Sequence, residues 1–380
     1  MVREPPIAQF VHGPLPKGVS EVLDRLRRTE GVAQIAVMPD VHLASEFCVG
    51  TVVASDRYLF PNAVGGDIGC GMLAMQFDAD ANVLADPDVA GRLLGALIEA
   101  CPGRRHHRRT APAMATPLRD LPMSHASLLA AFDREAARTE AGTLGAGNHF
   151  LELQTDEAGA LWLMIHTGSR HLGQVIHHHH LAHAAKLPTN LLAIEADSDH
   201  GRAYLVDVAF ARAWARENRR LLAMATARAL EQVLGIAPKL LTLMDCDHNH
   251  VAVETHGGRR LLVHRKGATA AHAGQAGIVP GSMATASYHT RGLGNAESLC
   301  SSSHGAGRLL SRTQARERIS RSRVREQLRR SGVWYAAHLE ESLREESPTA
   351  YKPIDEVMRA QAELTAITRR LRPVMVHKRI

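Results

Sequence analysis

Short apolar runs constrain the fold of this chain more than any other feature of its sequence. They cover residues 35–38, 50–54, 72–77, 150–153, 161–165, 240–244, 251–253 and 261–263. Their brevity and their flanking Gly or Asp favour strand over helix. Helices are expected at 88–100, 125–139, 203–234, 312–330 and 354–371, the third being rich in the good helix formers Ala, Leu and Arg. Strands and helices do not alternate at regular βαβ spacing. That argues against a Rossmann domain or a TIM barrel. It favours an α/β (α+β) fold, with an irregular mixed β-sheet core surrounded by helices.

Composition narrows the class. The 380 residues are 45% apolar and 22% charged, which is globular usage and excludes disorder as the main state. No stretch approaches the roughly 18–20 apolar residues of a membrane span. The N-terminus, MVREPPIAQF, carries an acid and two prolines where a signal peptide would be apolar. A cytoplasmic protein with no membrane partner is expected. The cysteines, Cys48, Cys70, Cys101, Cys246 and Cys300, are odd in number and form no CxxC pair. Neither a disulfide framework nor a zinc ribbon is indicated. The net charge of +6 comes from 6 Lys and 39 Arg against 39 acids. Arginine suits a polyanionic partner, although arginine-favouring base composition gives the same count. Twenty-three histidines are the sharper anomaly, because neutral imidazole is the commonest metal ligand.

Polar, metal-competent residues recur where apolar runs meet glycine-rich turns. VGGDIGCGM (64–72) sets Asp67 three residues before Cys70, and a tight glycine turn can aim both at one ion. GTLGAGNHFLEL (142–153) carries Asn148 and His149, LMIHTGSRHLGQ (163–174) carries His166, and MDCDHNHV (244–251) carries Asp245, Cys246, Asp247, His248 and His250. Taken singly, each is explained as well by hydrogen bonding at a turn. CSSSHGAGR (300–308) places His304 among small residues that let a phosphate approach the backbone, with Arg308 near enough to clamp one. Lys266, Ser282, Tyr351, Lys352 and Lys378 lie in neighbouring motifs, and three of the six lysines are among them. The internal HHHH run at 177–180 follows a glycine turn and is expected to start an exposed helix. Residues 102–122 and 312–350 read as solvated surface. Arg104, Arg105, Arg108 and Arg109 are candidate phosphate contacts in the first of these segments.

MPDVH (38–42), VGGDIGCGM, GTLGAGNHF, HTGSR, DHNHV, HRKGA, PGSM, SHGAGR and YKPID stand in an order that resembles the RtcB family of RNA-splicing ligases. The likeness runs from about residue 30 to the C-terminus and implies a single catalytic domain over 1–380. It implies an RNA ligase dependent on Mn2+ and GTP. Such an enzyme joins 2′,3′-cyclic phosphate or 3′-phosphate ends to 5′-hydroxyl ends, in RNA repair or tRNA splicing. By the resemblance His304 is the guanylylated nucleophile and Asp40 orients it. Asp67, Cys70, His149, His166 and His248 hold two manganese ions, with Cys70 bridging. Asn148, Glu152, Ser282, Gly305, Ala306, Gly307, Tyr351 and Lys378 surround the nucleotide. Lys266, Arg308 and Arg170 are candidates for RNA phosphate. Some family members use an archease-type activator. The chain departs from the family pattern in HLASEFCVG (42–50) and in its KRI ending. Two rival readings are a metal-dependent cyclic-phosphate phosphoesterase that does not ligate and a non-catalytic RNA-binding paralogue.

Overall fold

The structure, a computed structural model, describes residues 4–44, 46–106, 112–114, 116–336, 338–339 and 342–379. Two sheets organise it. One has five strands in the order Ile7–Gln9, Val32–His42, Val49–Ser55, Arg259–Lys266 and Asn249–His256. The other has eight. Its path runs Pro238–Asp247, Gly71–Asp80, Ala160–Thr167, Phe150–Asp156, Thr365–Lys378, Ser287–Gly292 and Ala276–Val279, with Trp334–Tyr335 pairing beside Thr365–Lys378. Among the described residues, only Ile7–Gln9 with Val32–His42 and Trp334–Tyr335 with Thr365–Lys378 pair in parallel within these two sheets. The expected irregular mixed-sheet architecture is what forms, and all eight apolar runs lie within strands.

The central strands of the eight-stranded sheet are buried on both faces, which explains why they read as runs rather than alternations. Side chains still alternate by face. Leu73, Met75, Leu163 and Ile165 pack against Leu93 and Leu97 of helix Pro87–Ala100 and against Leu222 and Leu230 of helix Asp199–Leu234. Met72, Ala74 and Met164 point the other way. There they meet Cys246 and Ile278 from the two end strands, so the sheet curls almost into a barrel. The 36-residue helix Asp199–Leu234 begins where the Ser198 side chain accepts from the Gly201 N–H. It ends at Gly235, whose φ of 68° only glycine adopts without strain.

Three helix expectations need correction. The helix expected over 354–371 stops at Ala360, and Thr365–Lys378 is a central strand. Its β-branched Ile367, Val374 and Val376 fit that role, and a register shift between Pro373 and Met375 accommodates the proline. The 312–330 helix is two, Arg312–Arg318 and Arg321–Arg330, because Ser320 caps a new start. The histidine run ends helix Arg170–Leu181 rather than starting it. The 312–350 segment is also not all surface: Ile319, Val324, Leu328, Leu339 and Leu343 form a small core of their own. Arg108 and Arg109 lie outside the described residues, and Arg105 is paired with Glu135 at 2.7 Å.

Candidate active site and metal centre

Strand register assembles the site. Gly71 stands opposite both Asp247 and Thr167, and Phe150 stands opposite His166. Four chain segments therefore reach one end of the sheet together, bringing Cys70, His149, His166 and His248. The 64–70 turn is held from below by Asn249, whose side chain donates to the Asp67 carbonyl at 3.2 Å and whose carbonyl accepts from the Gly69 N–H at 2.7 Å.

The five side chains implied by the resemblance as metal ligands meet there. Cys70 Sγ lies 3.2 Å from His166 Nε2 and 3.5 Å from His149 Nε2. His149 Nε2 is 2.9 Å from Asp67 Oδ2, and His166 Nε2 is 3.3 Å from His248 Nε2. Two ligand sets result, Cys70 with His166 and His248, and Asp67 with Cys70 and His149, with Cys70 common to both.

These residues fit a cation. The Asn148 carbonyl takes the His166 Nδ1–H at 3.0 Å, which fixes the proton there and leaves Nε2 as a bare lone pair. Burial holds His166 and His248 well below the ordinary histidine range, so both are neutral. The two buried nitrogens lie 3.3 Å apart beside the Cys70 sulfur, close enough to share either a proton or a metal ion. Burial, then the Asp67 charge, push the Cys70 thiol well above its ordinary value. Against the upward pull of burial, His149 and Arg170 bring the Asp67 carboxyl down to about 2. The mixed N, S and O donors suit a borderline divalent ion.

His304 stands beside this cluster, its ring centroid 4.8 Å from that of His248. Its Nδ1 lies 2.6 Å from Asp40 Oδ2, and its backbone N–H donates to the same oxygen at 3.3 Å. Asp40 has no exposed surface. With Nδ1 engaged by Asp40, Nε2 of His304 is left free of that contact.

A cleft of about 360 Å³ opens over these groups, a size suited to a small ligand. Asp67, Cys70, His166, His248 and His304 line it, as do Asn148, Glu152, Ser282, Gly305, Ala306, Gly307, Tyr351 and Lys378. Burial raises the Glu152 carboxyl to about 8 despite a hydrogen bond from Gln154. Ser282 Oγ shares a 2.9 Å bond with Thr285. Lys266 lines the cleft but donates to the Asn62 carbonyl at 3.0 Å. Arg308 lines it too, while its nitrogens bond Leu310, Tyr351 and Glu345. Arg170 is not in the lining; it donates to Thr143 at 3.2 Å. Of the fourth motif His248 and Asn249 reach the cleft. Asp245 is bound by Arg219, and Asp247 by Arg212 and His250.

The chain is matched by the family model described as tRNA-splicing ligase RtcB over residues 23–122 and 119–379. It is 38% identical over 371 positions to RNA-splicing ligase RtcB1 of Escherichia coli, covering 90% of each chain. It is 33% identical to RNA-splicing ligase RtcB of Mycobacterium tuberculosis, covering 89% of this chain and 95% of the relative. It is 30% identical to tRNA-splicing ligase RtcB of Archaeoglobus fulgidus, covering 90% and 87%. The chain belongs to the RtcB family.

Three supporting residues hold the site of this RtcB chain, two of which, Arg219 and Glu346, escape a motif reading. Lys352 Nζ donates to the carbonyls of Pro39 and Val41, each at 2.8 Å, and so clamps the peptide on both sides of Asp40. Arg219 is buried and bidentate to Asp245, and its Nη1 donates to the carbonyls of Gly69 (2.8 Å) and Thr167 (2.9 Å). It thus ties the Cys70 turn to the His166 strand. Glu346 pairs with Lys378 at 2.8 Å and accepts from Tyr351 at 2.9 Å. Only Lys352 carried a signal, as a rare lysine inside a motif.

Proposed function

We propose that this chain is a single-domain RNA ligase that joins 2′,3′-cyclic phosphate or 3′-phosphate ends to 5′-hydroxyl ends, with GTP as the energy source. The observation that supports it most is His304, anchored through Nδ1 on buried Asp40 beside a cluster of metal-competent side chains in one cleft. A phosphoesterase that only opened cyclic phosphates would use such an imidazole at most as a general acid or base, with no covalent adduct on it.

Asp67, Cys70 and His149 would hold one divalent ion, and Cys70, His166 and His248 the other. Bound there, a manganese pair supplies charge neutralisation to phosphoryl oxygens. His304 Nε2 attacks the α-phosphorus of GTP. The N–P bond forms, and the P–O bond to pyrophosphate breaks with its electron pair. Asp40 keeps the proton on Nδ1 and balances the charge that develops on the ring. An oxygen of the RNA 3′-phosphate then displaces His304, giving an RNA end activated through a pyrophosphate to guanosine. Attack by the 5′-hydroxyl oxygen on the RNA phosphorus expels GMP and releases the hydroxyl proton. A cyclic end is first opened by water. Asn148, Glu152, Ser282, Gly305, Ala306, Gly307, Tyr351 and Lys378 position the nucleotide. Lys266 and Arg308 face phosphate from the cleft wall, and Arg170, outside the lining, acts through Asp67 instead.

Incubation with α-labelled GTP and manganese tests the reading. A covalent, acid-labile GMP adduct should form and vanish in His304→Ala. Ligation of oligonucleotides bearing the two end types should follow the same pattern. Wild-type protein that forms no adduct while still opening cyclic phosphates would replace the ligase by the phosphoesterase.

A further inference from the structure

The HHHH run is the one conspicuous motif that the cleft leaves unused, and its four members have different fates. His180 is buried and bonds Asp207 at 2.6 Å, and Asp207 also accepts from the Ser124 N–H at 2.8 Å. That pair holds helices together. His177 bonds the Asn62 side chain at 2.9 Å. His178 is exposed. His179 is half-buried and turns toward imidazoles from other segments. Its ring centroid lies 5.3 Å from His183 and 5.4 Å from His125, and His183 stacks on His200 at 4.6 Å. His200 comes from the first turn of helix Asp199–Leu234, so segments distant in sequence converge here.

No carboxylate pairs with His179, His183 or His200 among the described residues. Such a group of imidazoles is not stabilised by charge pairing and does not fill a core. The His183 Nδ1 contact with the His179 carbonyl at 2.9 Å fixes that proton and leaves Nε2 free. His125 is different: its Nδ1 accepts from the Ser127 N–H at the start of helix Ala126–Ala131, so it is engaged as a helix cap.

We infer that His179, His183 and His200 form a second metal site, outside the cleft, for a divalent ion of the zinc type. The rings stack and tilt, and the ligand sets that already converge on one point are those of the cleft. Closing the set requires these side chains to rotate, which the exposure of His183 and His200 allows. Three imidazoles with an open fourth position match zinc coordination. An all-nitrogen set should discriminate against manganese, which prefers oxygen ligands. The two centres would then draw on different ions.

The test is equilibrium dialysis of the full-length protein against Zn2+, with metal counted per chain. Wild type should bind one more ion than His179→Gln, His183→Gln or His200→Gln, each weakened at least tenfold at that site. His178→Gln should match wild type, and guanylylation by the histidine variants should be unchanged. Variants that bind as much zinc as wild type would overturn the inference. A mutation-free check is diethyl pyrocarbonate labelling read by mass spectrometry. Zinc should slow modification of His179, His183 and His200 at least tenfold and leave His178 unaffected. Equal labelling with and without zinc would also overturn it.

Discussion

Asp40→Asn separates the charge of the histidine anchor from its shape. Asparagine fits the same space, and its side-chain oxygen can still accept the His304 Nδ1–H now held at 2.6 Å. What is lost is the negative charge facing a ring that turns positive as Nε2 bonds phosphorus. A charge-assisted hydrogen bond is about twice as strong as a neutral one, and in a dry site the difference grows as the transition state gains charge. The corresponding Asp-to-Asn change in a serine-protease triad costs about 10⁴ in rate. Asp40 is wholly buried and bonds the ring directly, so a fall of about 10²–10⁴ in adduct formation is expected. At 1.36 kcal/mol per decade, that is about 2.7–5.4 kcal/mol of transition-state stabilisation. Stability should move differently. Asp40 Oδ1 has no hydrogen-bond partner, so the native state carries a partly uncompensated buried carboxylate. The variant should therefore melt at or above the wild-type temperature. Single-turnover labelling with α-labelled GTP, paired with a thermal melt, reads both quantities. Adduct formation within tenfold of wild type would refute the role given to Asp40. A melting point that fell in step with the rate would show that Asp40 only holds the fold.

Gly307→Ala should damage the same anchor from the other side. Its Cβ would lie 2.4 Å from the Asp40 carbonyl oxygen at a φ of 73°, so a loss of about 1–3 kcal/mol in denaturant melts and slower adduct formation are expected. Lys352→Met strips two charge-assisted bonds from the carbonyls flanking Asp40 and should destabilise by about 2–4 kcal/mol, measured by urea titration. Glu152→Gln should change the pH dependence of stability in the metal- and nucleotide-free protein. The folded pKa of about 8 is above the unfolded one, so wild type is penalised progressively as pH rises from the ordinary glutamate range toward 8. The variant should therefore gain relative to wild type over that window, and identical pH profiles would contradict the burial argument.

The legible part of this molecule was the part made of local turns. A glycine turn carrying Asp67 and Cys70, or a strand end carrying His166, places its side chain through backbone geometry that a few adjacent residues determine. Strand register then brings those ends together without further instruction. What was not legible depends on partners far away in sequence. Residues 361–371 offer helix-forming Ala, Leu and Arg, yet pairing with Phe150–Asp156 and Ser287–Gly292 outweighs propensity and delivers Lys378 into the cleft. Arg219 is one of several arginines on helix Asp199–Leu234, and nothing local distinguishes it from exposed Arg216. Only the packed helix puts one guanidinium within 2.9 Å of two carbonyls at the metal centre. Glu346 is hidden for the same reason, in an Arg- and Glu-rich stretch whose composition reads as surface while its carboxylate sits buried against Lys378. These buried charges hold the motif residues in place. Mutating them should therefore impair the site while leaving every recognisable motif intact, a class of defect that inspection of the motifs alone would overlook.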